Sequence, residues 1–127
     1  DVHDIPFDKD SFDVVICNHV LEHVKDYHKV MTEFYRVMKP GGWGIFQVPI
    51  DTSNPTTQED KSVTDPKDRE RLYWQDDHLR LFGLDYGKKL AAAGFKVTES
   101  NFINELSPEL VERYALPKGE IIYFCEK

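Results

Sequence analysis

The feature that most constrains this chain is a pair of short apolar runs joined by one helix-length segment. Phe12 to Cys17 (FDVVIC) is β-branched and apolar on both faces, as expected of a central parallel strand covered on both sides. Val20, Val24, Tyr27, Val30, Met31, Phe34, Val37 and Met38 then recur at helical spacing as far as Lys39. Pro40-Gly41-Gly42 ends that helix by fixing φ and supplying left-handed positions, and Trp43 to Ile50 (WGIFQVPI) follows at once as a second strand. Strand, helix and strand in this order form a parallel βαβ unit with a right-handed crossover, so the fold class is α/β.

The remainder continues the alternation. Asp51 to Asp65 is polar, acidic and rich in turn residues, which predicts a surface loop long enough to act as a mobile lid. Pro66 to Gln75 reads as a short helix, and Asp85 to Ala93 as another, closed by Gly94. Phe95 to Phe102 is a strand candidate, Ser107-Pro108 opens a helical turn through Tyr114, and Glu120 to Glu126 is a last strand. A chain of 127 residues has room for one domain around one core.

Composition narrows the partners. With 23 acidic and 16 basic residues the formal charge is −7, and no cluster of Lys or Arg offsets the repulsion of a phosphate backbone, so nucleic acid is not expected as a partner. Cys17 and Cys125 both sit in apolar runs and read as reduced, buried thiols, which fits a cytoplasmic setting. No secretory leader pattern is present, and no apolar stretch approaches the ~20 residues that cross a bilayer, so no membrane partner is expected either.

One short pattern carries possible metal chemistry. His19-Val20-Leu21-Glu22-His23 fits H-x-x-E-H, in which two His on a helix bind zinc and the Glu is a general base. That reading needs both His within one continuous helix and a third ligand from a later helix, whereas His19 directly follows a strand. Cys17, two residues before His19, would point into the core and away from the pair. A zinc hydrolase is therefore the weakest of three readings, and no metal is expected.

A longer pattern is more specific. DVHDIPF at residues 1–7, SFDVVICNHVLEHV, and EFYRVMKPGGWGIFQVP run in the order of the class I S-adenosylmethionine-dependent methyltransferases. These read as Asp, Leu-Pro-Phe, a Phe-Asp strand, a Leu-x-His-Val helix start, and Arg-Val-Leu-Lys-Pro-Gly-Gly before the next strand. HLRLFGLDYGKKLAAAGFKV is similar to the later family segment, a His-x-Arg-x-aromatic element followed by a helix ending in Ala-Gly-Phe. The resemblance is strongest to the small-molecule branch.

It implies a partial Rossmann-like methyltransferase fold, a mostly parallel sheet whose last strand is antiparallel and inserted between its neighbours. It also implies S-adenosyl-L-methionine as cofactor and a small-molecule methyl acceptor. By the family's pattern Asp1 would accept from the adenine amino group and the Val2 amide would meet the ring. Asn18, His19 and His23 would line the methionine and ribose side, and His78 and Arg80 would face the acceptor. Each has an ordinary alternative: a solvated terminus for Asp1, a helix N-cap for Asn18, a bonded core histidine for His23, a capping His78 and a surface Arg80. No catalytic residue follows; His19, His23 and His78 are the candidates for proton exchange.

The family's first strand, its G-x-G loop and the acidic residue that holds the ribose lie before the position of Asp1, and no G-x-G occurs in these residues. The expectation is thus the C-terminal portion of a methyltransferase, inactive by itself. The second reading is a non-catalytic α/β binding module on the same scaffold. Without a first strand beside it, the strand at 12–17 should expose an edge that pairs with a second copy as a homodimer.

Overall fold

A computed structural model describes residues 1–127. Strand β1 (Phe12–Asn18) leads to helix α1 (Tyr27–Val37), β2 (Met38–Gln47), α2 (Pro66–Tyr73), α3 (Tyr86–Ala92), β3 (Lys96–Ser100), α4 (Pro108–Arg113) and β4 (Ile122–Glu126). The four strands form one sheet in the order β1-β2-β4-β3. β1 and β2 are parallel, with Ile16 beside Ile45 and Asn18 beside Gln47, while β4 runs antiparallel to both its neighbours. The expected antiparallel last strand, inserted between earlier ones, is present.

Helix α1 starts later than its apolar spacing suggests. Asp26 caps it by accepting from the Lys29 amide at 2.9 Å, so residues 19–25 form a compact turn and Asn18 is not the cap. Its apolar face, Tyr27, Val30, Met31, Phe34 and Val37, is buried. Tyr27, Val30, Met31 and Phe34 of that face join Cys17, Phe46, Tyr86, Leu90, Tyr123 and Cys125 in a single core. At the other end Lys39, preceding Pro40, is extended, as the proline ring requires, and Gly41 takes a φ of 78° that a side chain would disfavour.

β1 is covered on one side only. Val15 and Cys17 face the core, whereas Val14 and Ile16 are 39% and 61% exposed, as is Trp43 beside them at 37%. The apolar run was read as a strand buried on both faces; alternation places half of it on the open face of the sheet. The β1 edge borders an apolar groove lined by Ile5, Phe7, Phe12 and Phe34 among others.

The stretch 51–65 is also more tied down than its composition suggests. Gln58 and Leu81 exchange backbone hydrogen bonds at 2.8 and 3.0 Å, the Asp51 amide donates to Phe82, and the Thr57 amide and hydroxyl both donate to the Asp85 carboxylate. Asp51 and Asp60 each close a local turn on Ser53 and Ser62. These bonds tie residues 51–58 of the segment to residues 81–85.

Candidate functional site

The site forms where the carboxyl ends of β1 and β2 meet the start of β4. His19, the first residue after β1, has a left-handed φ of 54° and donates its amide to the Gln47 carbonyl at 2.9 Å. Such a conformation is uncommon for a non-glycine residue and is held by its surroundings. Gln47 fixes the opposite wall: its amide nitrogen donates to the Ile121 carbonyl and to Glu120, and its oxygen accepts from the Tyr123 amide. Between these walls lies an open cleft of about 280 Å³ with His19, Val48, Ile50, Thr52, Lys118 and Glu120 on its lining.

Behind His19 is a buried polar cluster. The Glu22 carboxylate is 1% exposed, with the His19 Nδ1 at 3.4 Å and the His23 Nε2 at 3.9 Å, and no donor hydrogen-bonds either oxygen. His23 Nδ1 lies 3.2 Å from Asp77, and the rings of His23 and His78 meet edge to face at 4.7 Å. His78 is buried and its Nδ1 donates to the Tyr73 carbonyl at 2.7 Å. Arg80, 1% exposed, donates to the carbonyls of Leu21, Val24 and Lys25 and to Glu59, with Tyr27 beneath its guanidinium at 4.9 Å.

The structure thus divides the residues singled out from sequence. Asn18 and His19 stand exposed at the end of β1, and His19 lines the cleft. Asp1 is exposed, and one carboxylate oxygen already accepts from the amide and ring of His3; Val2 packs against the core edge. His23 turns toward Asp77 and Glu22. His78 and Arg80, read as facing an acceptor, are buried in the fold, and the donors of Arg80 go to backbone carbonyls. Gln47 and Glu22 were not foreseen as organising residues. Gln47 sits among apolar neighbours in WGIFQVPI, and a polar residue inside a strand was the available signal. Cys17 and Cys125 are free and buried, with burial pushing the thiols up to about 11 and about 12, so they are inert core residues.

Comparison with known proteins bears on the same stretch. The methyltransferase domain family matches residues 1–46, which run from the N-terminal turn through β1 and α1 into β2. The demethylmenaquinone methyltransferase of Lactococcus lactis is 48% identical over 52 residues, 41% of this chain and 19% of that relative. The same enzyme of Listeria monocytogenes is 43% identical over 60 residues, 47% of this chain and 24% of that protein. This chain therefore matches about a fifth of the length of such relatives.

The methyltransferase fold extends over the whole chain. An S-adenosylmethionine-dependent methyltransferase of Mesorhizobium loti covers 100% of it with a TM-score of 0.55 at 15% identity, the match spanning 67% of that protein. The 1,6-didemethyltoxoflavin-N1-methyltransferase of Burkholderia thailandensis, solved with bound 1,6-didemethyltoxoflavin and S-adenosylhomocysteine, covers 99% with a TM-score of 0.60 at 14% identity and 48% of its own length. The [4+2]-cyclase SpnF covers 100% with a TM-score of 0.65 at 17% identity and 54% of its length. No helix of the chain is long and apolar enough to cross a membrane.

Proposed function

We propose that these residues form the acceptor side of an S-adenosylmethionine-dependent methyltransferase domain that methylates a small molecule. The observation that carries the proposal is that the family match runs into the turn where Asn18 and His19 stand exposed beside a cleft at the strand ends. In open α/β sheets that end is where ligands bind. Bound S-adenosylmethionine would supply an activated methyl group on a sulfonium.

The residues present fit that cofactor in part. Asn18 makes no side-chain hydrogen bond within the chain, His19 is 61% exposed in its side chain, and Asp1 keeps one carboxylate oxygen free. His23, engaged with Asp77, fits less well. In-line methyl transfer depends chiefly on alignment, to which the apolar side chains of Val48, Ile50 and Ile121 on the cleft wall would contribute by holding an acceptor. Where the acceptor must lose a proton, the His19 imidazole on the lining of the cleft is placed to take it.

A second reading, a non-methylating module, draws on the fold likeness to a [4+2]-cyclase, since one scaffold hosts different chemistries. The two are separated by the gene product that carries these residues. Calorimetry should show it binding S-adenosylhomocysteine, with Asn18→Ala and Asp1→Ala weakening binding several-fold. His19→Ala should lower transfer of a radiolabelled methyl group while leaving cofactor affinity near normal. A folded gene product that binds no S-adenosylhomocysteine would refute the methyltransferase reading.

A further inference from the structure

We propose that Glu22, His23 and His78 form a binding site for a divalent transition ion of the zinc class. One ligand atom from each lies within 4.8 Å of the others. The Glu22 carboxylate, 1% exposed and without a hydrogen-bond donor on either oxygen, is the anchoring observation. Burying a carboxylate unpaired is unfavourable unless a cation shares the site. By contrast, Asp51 and Asp60 each accept from the amide and hydroxyl of a serine two residues on.

The two imidazoles are set up as ligands. A carbonyl oxygen can only accept, so the contact at 2.7 Å to Tyr73 places the His78 proton on Nδ1 and leaves a lone pair on Nε2. The His23 Nδ1 lies 3.2 Å from the Asp77 carboxylate, and its Nε2 lies 3.9 Å from Glu22. A metal-bound imidazole characteristically donates its other N–H to a carbonyl or carboxylate, which fixes tautomer and ring orientation. Two imidazoles and one carboxylate suit zinc or cobalt better than magnesium or calcium, and three protein ligands leave a position for water.

This is not the zinc-peptidase use of H-x-x-E-H. Glu22 is a ligand rather than a base, the third donor comes from the segment after α2, and His19 stays on the rim of the cleft. The ion would tie the turn at 19–25 to the segment at 74–80, independently of whether the cleft transfers methyl groups.

The test is Co²⁺ titration of the chelator-treated 127-residue chain. One Co²⁺ per chain should bind with the visible absorption of a low-coordinate site, be displaced by Zn²⁺ and resist Mg²⁺ and Ca²⁺. Glu22→Gln and His78→Gln should each abolish the absorption. Asp77→Asn, a change at an exposed position that does not endanger folding, should weaken affinity by about 10- to 100-fold. His28→Gln, on the exposed side of α1, should leave it unchanged. No absorption at a Co²⁺ excess overturns the proposal, as does absorption unaffected by both His78→Gln and Asp77→Asn.

Discussion

Arg80 is the residue whose loss should do the most damage outside the apolar core. Its guanidinium reaches the carbonyls of Leu21 at 2.7 Å, Val24 at 2.6 Å and Lys25 at 3.3 Å, and Glu59 at 3.0 Å. Arg80→Met keeps the apolar stem and removes every donor. Lys25 is exposed, so its carbonyl regains water; Leu21 is buried, so its carbonyl is left without a partner. Each orphaned group costs about 1–3 kcal/mol, and with the separation from Glu59 the total is about 3–5 kcal/mol. A domain of this size has about 6–19 kcal/mol in all, so urea unfolding should show a large fall in midpoint with an unchanged slope. Arg80→Lys should be almost as damaging, because one ammonium cannot serve carbonyls spread over a whole turn. A loss below about 1 kcal/mol for Arg80→Met would refute the clamp.

Three further outcomes are expected. Arg36 and the Ile5 amide hold the Glu33 carboxyl at about 2, below its ordinary 4.5. Because the folded value is the lower one, this contribution is complete above about pH 4.5 and fades as pH falls toward 2. The urea midpoints of wild type and Glu33→Gln should therefore differ at neutral pH and converge across that window; a constant gap would show another cause. In hydrogen exchange, Gln58 and Leu81 should be protected in the ligand-free chain, since each amide bonds the other's carbonyl. Rapid exchange at both would restore the mobile lid. Finally, the apolar groove along the β1 edge should drive the isolated chain to dimerise, and Val15→Lys should reduce the dimer seen by light scattering. A monomer at micromolar concentration would dismiss this.

The sheet was legible because its signals are local. FDVVIC marks one strand, and Pro40-Gly41-Gly42 directly followed by WGIFQVPI marks the helix stop and the next strand, without help from distant residues. Asp85 and Gly94 likewise bracket α3 as read. The start of α1 was not legible. Val20, Val24 and Tyr27 keep helical spacing, yet the carbonyls of Leu21, Val24 and Lys25 accept from Arg80 instead of from amides one turn later. A side chain more than fifty residues away thus replaces the helical hydrogen bonds, and periodicity cannot reveal that substitution.

The same distance hides the polar cluster. Within H-x-x-E-H the sequence brings His19, Glu22 and His23 together and invites a helical zinc motif. The left-handed φ at His19 breaks that geometry, so the pair does not share a helix face. What completes the cluster is His78, two residues before Arg80. The segment that delivers the clamp to the turn also delivers the third imidazole, held by the Tyr73 carbonyl at the end of α2. Arg80 holds the carbonyls of the 19–25 turn from which Glu22 points inward, so under the metal-site proposal the same clamp also positions one of the ligands. Arg80→Met should therefore weaken Co²⁺ binding even where the chain remains folded, although Arg80 itself donates no ligand; an unchanged Co²⁺ affinity in a folded variant would refute the coupling.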